Sequence, residues 1–351
     1  MPAPKLLDAQ LRFRLDEADP TVTAVTLECD RSVPGPRRFS RAGDAWVLDL
    51  PRPPLARLEY RIEVCRGTER EVVLDPGNPL TVPTAFGERS VVELPGYRPP
   101  WWLSAPVVPG RMTPMTVAGE TADEVPVTVW APESLDDGHP APMLLVHDGP
   151  EYDLLAGLTR YAAAQVAAGN LPPHRVALAH PVLRDAWYSG SPRYLRTVAA
   201  AGLDRLGERF AVAGPVVVMG ASLGGLTALL LGLSGAPRVG GVFAQSGSFF
   251  QVRHDDAESG YRYFGRISRL VQQVLDTRRP EHHLVVGLTC GALEENAANN
   301  RDMAVALRRA GHDVRYREVA DLHNYTAWRD VLDPGLTEVL HAVWAPGAAQ
   351  G

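Results

Sequence analysis

The chain has 351 residues, of which 45% are hydrophobic and 22% charged, with a formal net charge of −6. That length allows two domains with cores of their own, and the mildly acidic balance argues against a nucleic-acid or anionic-membrane partner. The start, Met1-Pro2-Ala3-Pro4-Lys5, has no apolar h-region and no run of about 18 apolar residues follows, so neither a secretory signal nor a membrane span is expected and the expected location is the cytoplasm.

Residues 1–97 read as an all-β domain. Short stretches of alternating apolar and polar residues at 10–15, 22–29, 45–50, 58–65, 71–74 and 90–94 predict strands. The Pro- and Gly-containing turns between them have the spacing of an immunoglobulin-like sandwich. Trp46 and Tyr60 fall on alternating positions that face the core. The three cysteines show no C-x-x-C spacing, hence no disulfide framework and no zinc site. Cys29 and Cys65 could pair inside this domain, but two buried free thiols are the favoured reading. Residues 98–110, with Pro99-Pro100-Trp101-Trp102, read as a stiff linker that packs aromatics into a seam between the domains. From 111 to 346 strands alternate with helices, the grammar of an α/β sheet.

A predicted strand at 176–179 leads into a segment that concentrates Arg184, Trp187, Tyr188, Arg193 and Arg196. Arginines beside aromatic faces suit an anionic, aromatic ligand. Alternatively, Arg184 pairs with a carboxylate to hold its loop and Tyr188 packs. The next apolar run, 216–219, ends in Gly220-Ala221-Ser222-Leu223-Gly224 and is followed by a small-residue helical stretch. A strand, a sharp turn with serine at its apex, and a helix form the setting of a nucleophile elbow. The flanking glycines spare clashes with neighbouring backbone, and the serine itself is held under strain. Beyond Ser248, Arg253, His254, Arg262 and Arg266 add positive charge where a cap or lid would sit.

The strand predicted at 284–289 runs into Cys290-Gly291-Ala292-Leu293-Glu294-Glu295-Asn296. Catalytic groups of open α/β sheets collect at such carboxyl ends. A helix at 299–309, a stop at Gly311 and a strand at 314–319 precede the loop holding His323. The order serine, acid, histidine is that of an α/β-hydrolase. A serine hydroxyl needs an imidazole to take its proton, and a carboxylate fixes the tautomer of that imidazole. Of the two neighbouring glutamates Glu294 is favoured and Glu295 is the alternative. Asp302, on the following helix, is a poorer choice, and Asp321 is too close in sequence to reach the far ring nitrogen. His147, His180, His254, His282, His283, His312 and His341 read as surface or packing residues, His147 lying near the candidate oxyanion loop.

Taken together, Gly220-Ala221-Ser222-Leu223-Gly224-Gly225, Thr289-Cys290-Gly291-Ala292-Leu293-Glu294-Glu295-Asn296 and Asp321-Leu322-His323-Asn324-Tyr325-Thr326-Ala327-Trp328-Arg329 resemble the enterochelin esterase family, an esterase branch of the α/β-hydrolases that includes feruloyl esterases and mycolyltransferases. Leu144-Leu145-Val146-His147-Asp148-Gly149-Pro150-Glu151-Tyr152 resembles its oxyanion segment, and Arg184-Asp185-Ala186-Trp187-Tyr188 its Arg-x-x-x-Tyr segment. The resemblance covers roughly residues 108 to 345 strongly and the N-terminal region more loosely. It implies Ser222 as nucleophile, His323 as base and, three residues after Gly291, Glu294 as acid. It also implies an oxyanion hole, with one donor the N–H of Leu223. Pro150 has no N–H, so the second donor is Gly149 or Glu151, and Gly149 is chosen. An all-β domain beside the cleft is implied, either shaping a pocket or merely stabilising.

The expected activity is that of a serine esterase acting on a small-molecule ester or lactone through an acyl-enzyme. A ferric tri-catecholate siderophore is the leading substrate, and Arg184, Trp187 and Tyr188 are candidate substrate contacts. No metal or organic cofactor is expected. The alternatives are an acyltransferase of the same fold and a non-catalytic ligand-binding protein on a hydrolase scaffold. Oligomeric state has no signal in the sequence.

Overall fold

In the computed structural model, which describes residues 4–118, 124–236 and 238–345, the chain divides into two units. Residues 1–3 of the N-terminal reading and residue 346, the expected end of the catalytic domain, lie outside the described residues. The first unit holds residues up to Arg98 together with Ala292–Glu294 and Ala320–Asn324. The second holds Pro99–Gly291, Glu295–Val319 and the chain from Tyr325 onward.

Alternation builds the first unit. Its strands are β1 (Lys5–Leu7), β2 (Gln10–Asp16), β3 (Val22–Cys29), β4 (Ser40–Ala42), β5 (Ala45–Pro51), β6 (Arg57–Arg66), β7 (Glu69–Val73), β8 (Thr81–Thr84) and β9 (Gly87–Glu93). They form two antiparallel sheets, β1-β2-β5-β4 and β3-β6-β9-β8, with β7 also paired to β6. Side chains of a strand alternate between faces. Leu11, Phe13 and Leu15 of β2 therefore point inward together, as do Leu58, Tyr60, Ile62 and Val64 of β6. Phe13 meets Tyr60 edge to face at 5.0 Å, joining the two sheets, and Trp46 lies in the same core. Leu322 and Leu293, carried by the two late loops, join this core as well. β1 and β4 were not legible in the sequence because each is a three-residue strand exposed at every position. Cys29 and Cys65 are free and half-buried rather than buried, and burial pushes the Cys29 thiol up to about 11.

The second unit is an eight-stranded sheet. Its strands are β10 (Gly110–Ala118), β11 (Glu124–Pro132), β12 (Met143–Val146), β13 (Arg175–Ala179), β14 (Val216–Ala221), β15 (Val239–Gln245), β16 (Val285–Gly291) and β17 (Asp313–Val319). The order is β10-β11-β13-β12-β14-β15-β16-β17. β10, β11 and β13 pair antiparallel, and every pairing from β13 to β17 is parallel. The helices are α1 (Gly149–Ala156), α2 (Leu158–Ala167), α3 (Arg184–Tyr188), α4 (Pro192–Arg196), α5 (Leu203–Arg209), α6 (Leu223–Leu233), α7 (Phe264–Asp276), α8 (Ala297–Ala310), α9 (Tyr325–Asp330) and α10 (Thr337–Trp344).

Parallel strands covered on both faces become continuous apolar runs, which is why β14 is buried at all six positions. Its residues serve two cores in turn. Val216 and Val218 pack with α6, whereas Val217 and Met219 pack with α2 and α10. Trp102 belongs to the second of these cores. It is fully buried and meets Tyr161 of α2 edge to face at 5.7 Å. Trp101 donates its indole N–H to Asp333 at 2.6 Å. Among the described residues no helix is long and apolar enough to cross a membrane.

Candidate active site

β14 ends at Ala221 and α6 begins at Leu223, so the chain must reverse direction at Ser222. The residue takes φ +55° and ψ −124°, a conformation that side chains rarely adopt and that costs on the order of 1–3 kcal/mol. Three backbone bonds hold it there. The Ser222 N–H donates to Gln245 O at 2.9 Å, and Ser222 O accepts from Ser248 N–H at 3.0 Å and Leu226 N–H at 3.1 Å. A Cβ at Gly220 would lie 2.4 Å from the Gly224 backbone, so only glycine lets the helix start this close to the strand. Ser222 is partly exposed, whereas Ser246 and Ser248 are buried. Ser222 Oγ stands 3.2 Å from Ser248 Oγ, and Ser246 Oγ accepts the Trp328 indole N–H at 2.9 Å.

Leu223 and Gly149 are the first residues of α6 and α1. N–H groups at a helix start have no intrahelical acceptor and carry the positive end of the macrodipole. A Cβ on Gly149 would fall 2.4 Å from Leu178 Cα, so the turn into α1 admits only glycine. The neighbouring N–H groups are less available. Pro150 has none, and that of Asp148 donates to Tyr188 Oη at 3.2 Å.

Asp148 had no role in the sequence reading, yet it organises this turn. Its carboxylate, 3% exposed, accepts both Nε and Nη2 of Arg184 at 2.8 Å. Burial opposes the charge on Arg184, but the bonds and attraction of Asp148 outweigh it, so the guanidinium holds its proton more tightly than usual. Trp187 stacks on Tyr194 at 5.0 Å, and Tyr188 takes the edge of His147 at 5.2 Å. Trp187 and Tyr188 are both buried. Tyr188 is thereby tied to the turn through the Asp148 N–H, and Trp187 packs beside it on Tyr194. His147 is fully enclosed and burial holds its pKa down to about 4, leaving a neutral packing ring with Nδ1 at 3.2 Å from Met219 O.

Three residues of the segment after Ser248 find partners within the second unit. Arg253 and His254 both pair with Asp302. Arg266 donates to Ser189 O at 2.8 Å and Ala186 O at 3.1 Å. A cavity of about 650 Å³ lies between α7 and α8, and none of Ser222, Glu294 and His323 lines it.

Glu294 follows β16 and His323 follows β17, and both belong to the first unit. Glu294 Oε2 lies 2.8 Å from His323 Nδ1. Glu294 is buried and Glu295 is exposed. With Nδ1–H donating to the carboxylate, Nε2 keeps its lone pair and can accept a proton. Asp321 accepts Leu322 N–H at 2.8 Å and Asn324 Nδ2–H at 3.1 Å. Among the described residues no group of three or more His, Cys, Asp or Glu side chains converges to hold a metal.

A family model described as "Putative esterase" matches residues 118–339. The iron(III) enterobactin esterase of Dickeya dadantii (strain 3937) is 30% identical over 227 residues, 58% of this chain and 49% of that protein. The chain thus spans about half the length of that curated relative. The enterobactin esterase of Shigella flexneri, crystallised in the presence of enterobactin, superposes with a TM-score of 0.75 at 18% identity, over 97% of this chain and 95% of that one. The ferric enterobactin esterase of Salmonella typhimurium gives 0.75 at 19% identity, over 98% and 96%. At such identities the likeness is one of fold, and it is the fold of α/β-hydrolases.

Proposed function

We propose that this chain, which belongs to the esterase family whose model it matches over residues 118–339, is a serine esterase that cleaves a carboxylic ester or lactone through an acyl-enzyme on Ser222. The observation that carries the reading is the strained, partly exposed Ser222 between β14 and α6. Strain is retained where the surrounding structure over-determines it, most often at functional sites.

The chemistry then runs as follows. Ser222 Oγ attacks the ester carbonyl carbon while His323 Nε2 takes the hydroxyl proton. Glu294, bonded to the other ring nitrogen, stabilises the imidazolium. The oxyanion of the tetrahedral adduct receives the N–H groups of Leu223 and Gly149. The C–O bond to the leaving alcohol breaks and His323 returns the proton to that oxygen. Water, deprotonated by the same imidazole, attacks the acyl-enzyme, and its collapse releases the acid and restores Ser222.

For substrate class, the reading favours a bulky ester or lactone of the ferric tri-catecholate siderophore type, supported by the 30% identity to an iron(III) enterobactin esterase. Two measurements test the function. An organophosphonate should label Ser222, and Ser222→Ala should abolish both labelling and hydrolysis of an activated nitrophenyl ester. Labelling at Ser248, or activity surviving in the variant, would sink the mechanism. On substrate, kcat/KM for the siderophore should exceed that for the nitrophenyl ester by orders of magnitude, because remote contacts contribute to the transition state. Equal values would reduce the reading to a general esterase.

A further inference from the structure

The loop that carries His323 is fastened inside the first unit. Arg57, the first residue of β6, is 2% exposed. Its Nη2 donates to Glu59 Oε1 at 3.0 Å, its Nε lies 3.5 Å from Asp321 Oδ2, and the guanidinium sits 5.5 Å over the ring of Tyr97. Asp321 in turn binds the N–H of Leu322 and the amide of Asn324, the two residues that flank His323. The preceding carbonyl, Ala320 O, accepts Ala56 N–H at 2.6 Å, next to Arg57. Leu322 is buried in the sandwich core, and Leu293, adjacent to Glu294, packs on the same core.

Stability alone explains this arrangement poorly. Burying an arginine and an aspartate carries a large desolvation cost, and such a pair often does no better than apolar residues of equal volume. A separation of 3.5 Å gives less back than a short, bidentate pair would. What the pair supplies is direction. A charge fixed on β6 holds a carboxylate whose other oxygen closes the turn around His323.

We infer that Arg57 is a positioning residue: by holding Asp321 it sets His323 against Glu294, so the N-terminal β-sandwich governs the orientation of the catalytic base. This rests on the serine-esterase reading above and assigns the sandwich a role in catalysis beyond support.

The test uses the full chain as wild type, Arg57→Gln, Asp321→Asn and the double variant. Active sites are counted by phosphonate labelling run to completion, and kcat and KM for a nitrophenyl ester are expressed per labelled site. A misplaced base should lower kcat per labelled site by about 10²-fold, with KM for this small ester close to wild type. The double variant should be no slower than the worse single one, because both changes remove one interaction. A merely structural pair would reduce the number of labelled sites and the melting temperature while leaving kcat per site within about twofold of wild type. That result, or additive losses in the double variant, overturns the inference. Should Arg57→Gln not fold, Asp321→Asn decides by the same criterion, since it leaves Arg57 its bond to Glu59 and an oxygen for Leu322 N–H. Failure of the underlying reading looks different: the wild-type protein would then escape labelling at Ser222.

Discussion

Glu294 and Glu295 are adjacent and chemically alike, and only burial and direction separate them. Glu294 is enclosed and bonded to His323, while Glu295 faces solvent. Glu294→Gln should therefore lower kcat by about 10³–10⁴-fold, since an amide in that place no longer fixes the tautomer or stabilises the imidazolium. Glu295→Gln should stay near wild type in the same ester assay, and the reverse order would move the acid by one residue. Arg184 is the second discriminating side chain. Replacing it by alanine leaves the buried carboxylate of Asp148 without its partner, a loss that solvent screens in part because Arg184 is itself 38% exposed. The turn holding Gly149 should shift, so hydrolysis of a small ester should fall along with the melting temperature. If Arg184→Ala spares small esters and damages only a bulky anionic substrate, the side chain is a substrate contact after all.

At the scale of elements, the β14–α6 elbow carries the clearest physical conflict. Ser222 sits where glycine would be at ease, and Gly220 sits where nothing but glycine fits. Ser222→Gly should consequently melt above Ser222→Ala, because both lack the hydroxyl and only glycine relieves the positive φ. A lower melting temperature for the glycine variant would show that the conformation is not strained. The elbow could be read in the sequence because every part of it is local: the apolar run of a strand buried on both faces, the glycines, and the helix that follows. The 184–196 segment could not be read as well. Its arginine and aromatic residues are equally compatible with binding a ligand and with packing, and the partner that decides, Asp148, lies on another loop.

At the scale of the whole molecule, the acidic groups of the first unit tie its stability to pH. Burial is the main influence on Asp321 and pushes its carboxyl up to about 6, while Arg57, the N–H of Leu322 and Asn324 pull it back and Glu59 adds to the rise. A pKa raised above the unfolded value of about 3.9 means that the folded state holds this proton more tightly. The contribution is fully present below pH about 4, shrinks as pH climbs through about 6, and is level beyond. Melting temperatures of wild type and Asp321→Asn should thus converge or cross in the wild type's disfavour as pH rises over that window, and parallel curves would show that the carboxyl titrates normally.

The sequence by itself determined what depends on neighbours along the chain. Period-two alternation marked the main strands of the sandwich, unbroken apolar runs marked the strands of the α/β sheet, and glycine and serine marked the elbow, because each records burial or backbone geometry within a few residues. The tertiary structure alone decided which distant groups meet. It joined Trp102 to Tyr161 inside the α/β core, Arg184 to Asp148 under the turn, Glu294 rather than Glu295 to His323, and Arg57 to Asp321. Such pairs leave no local signature, since an arginine at a strand start or an aspartate in a loop looks the same whether its partner is water or a buried charge brought there by the fold.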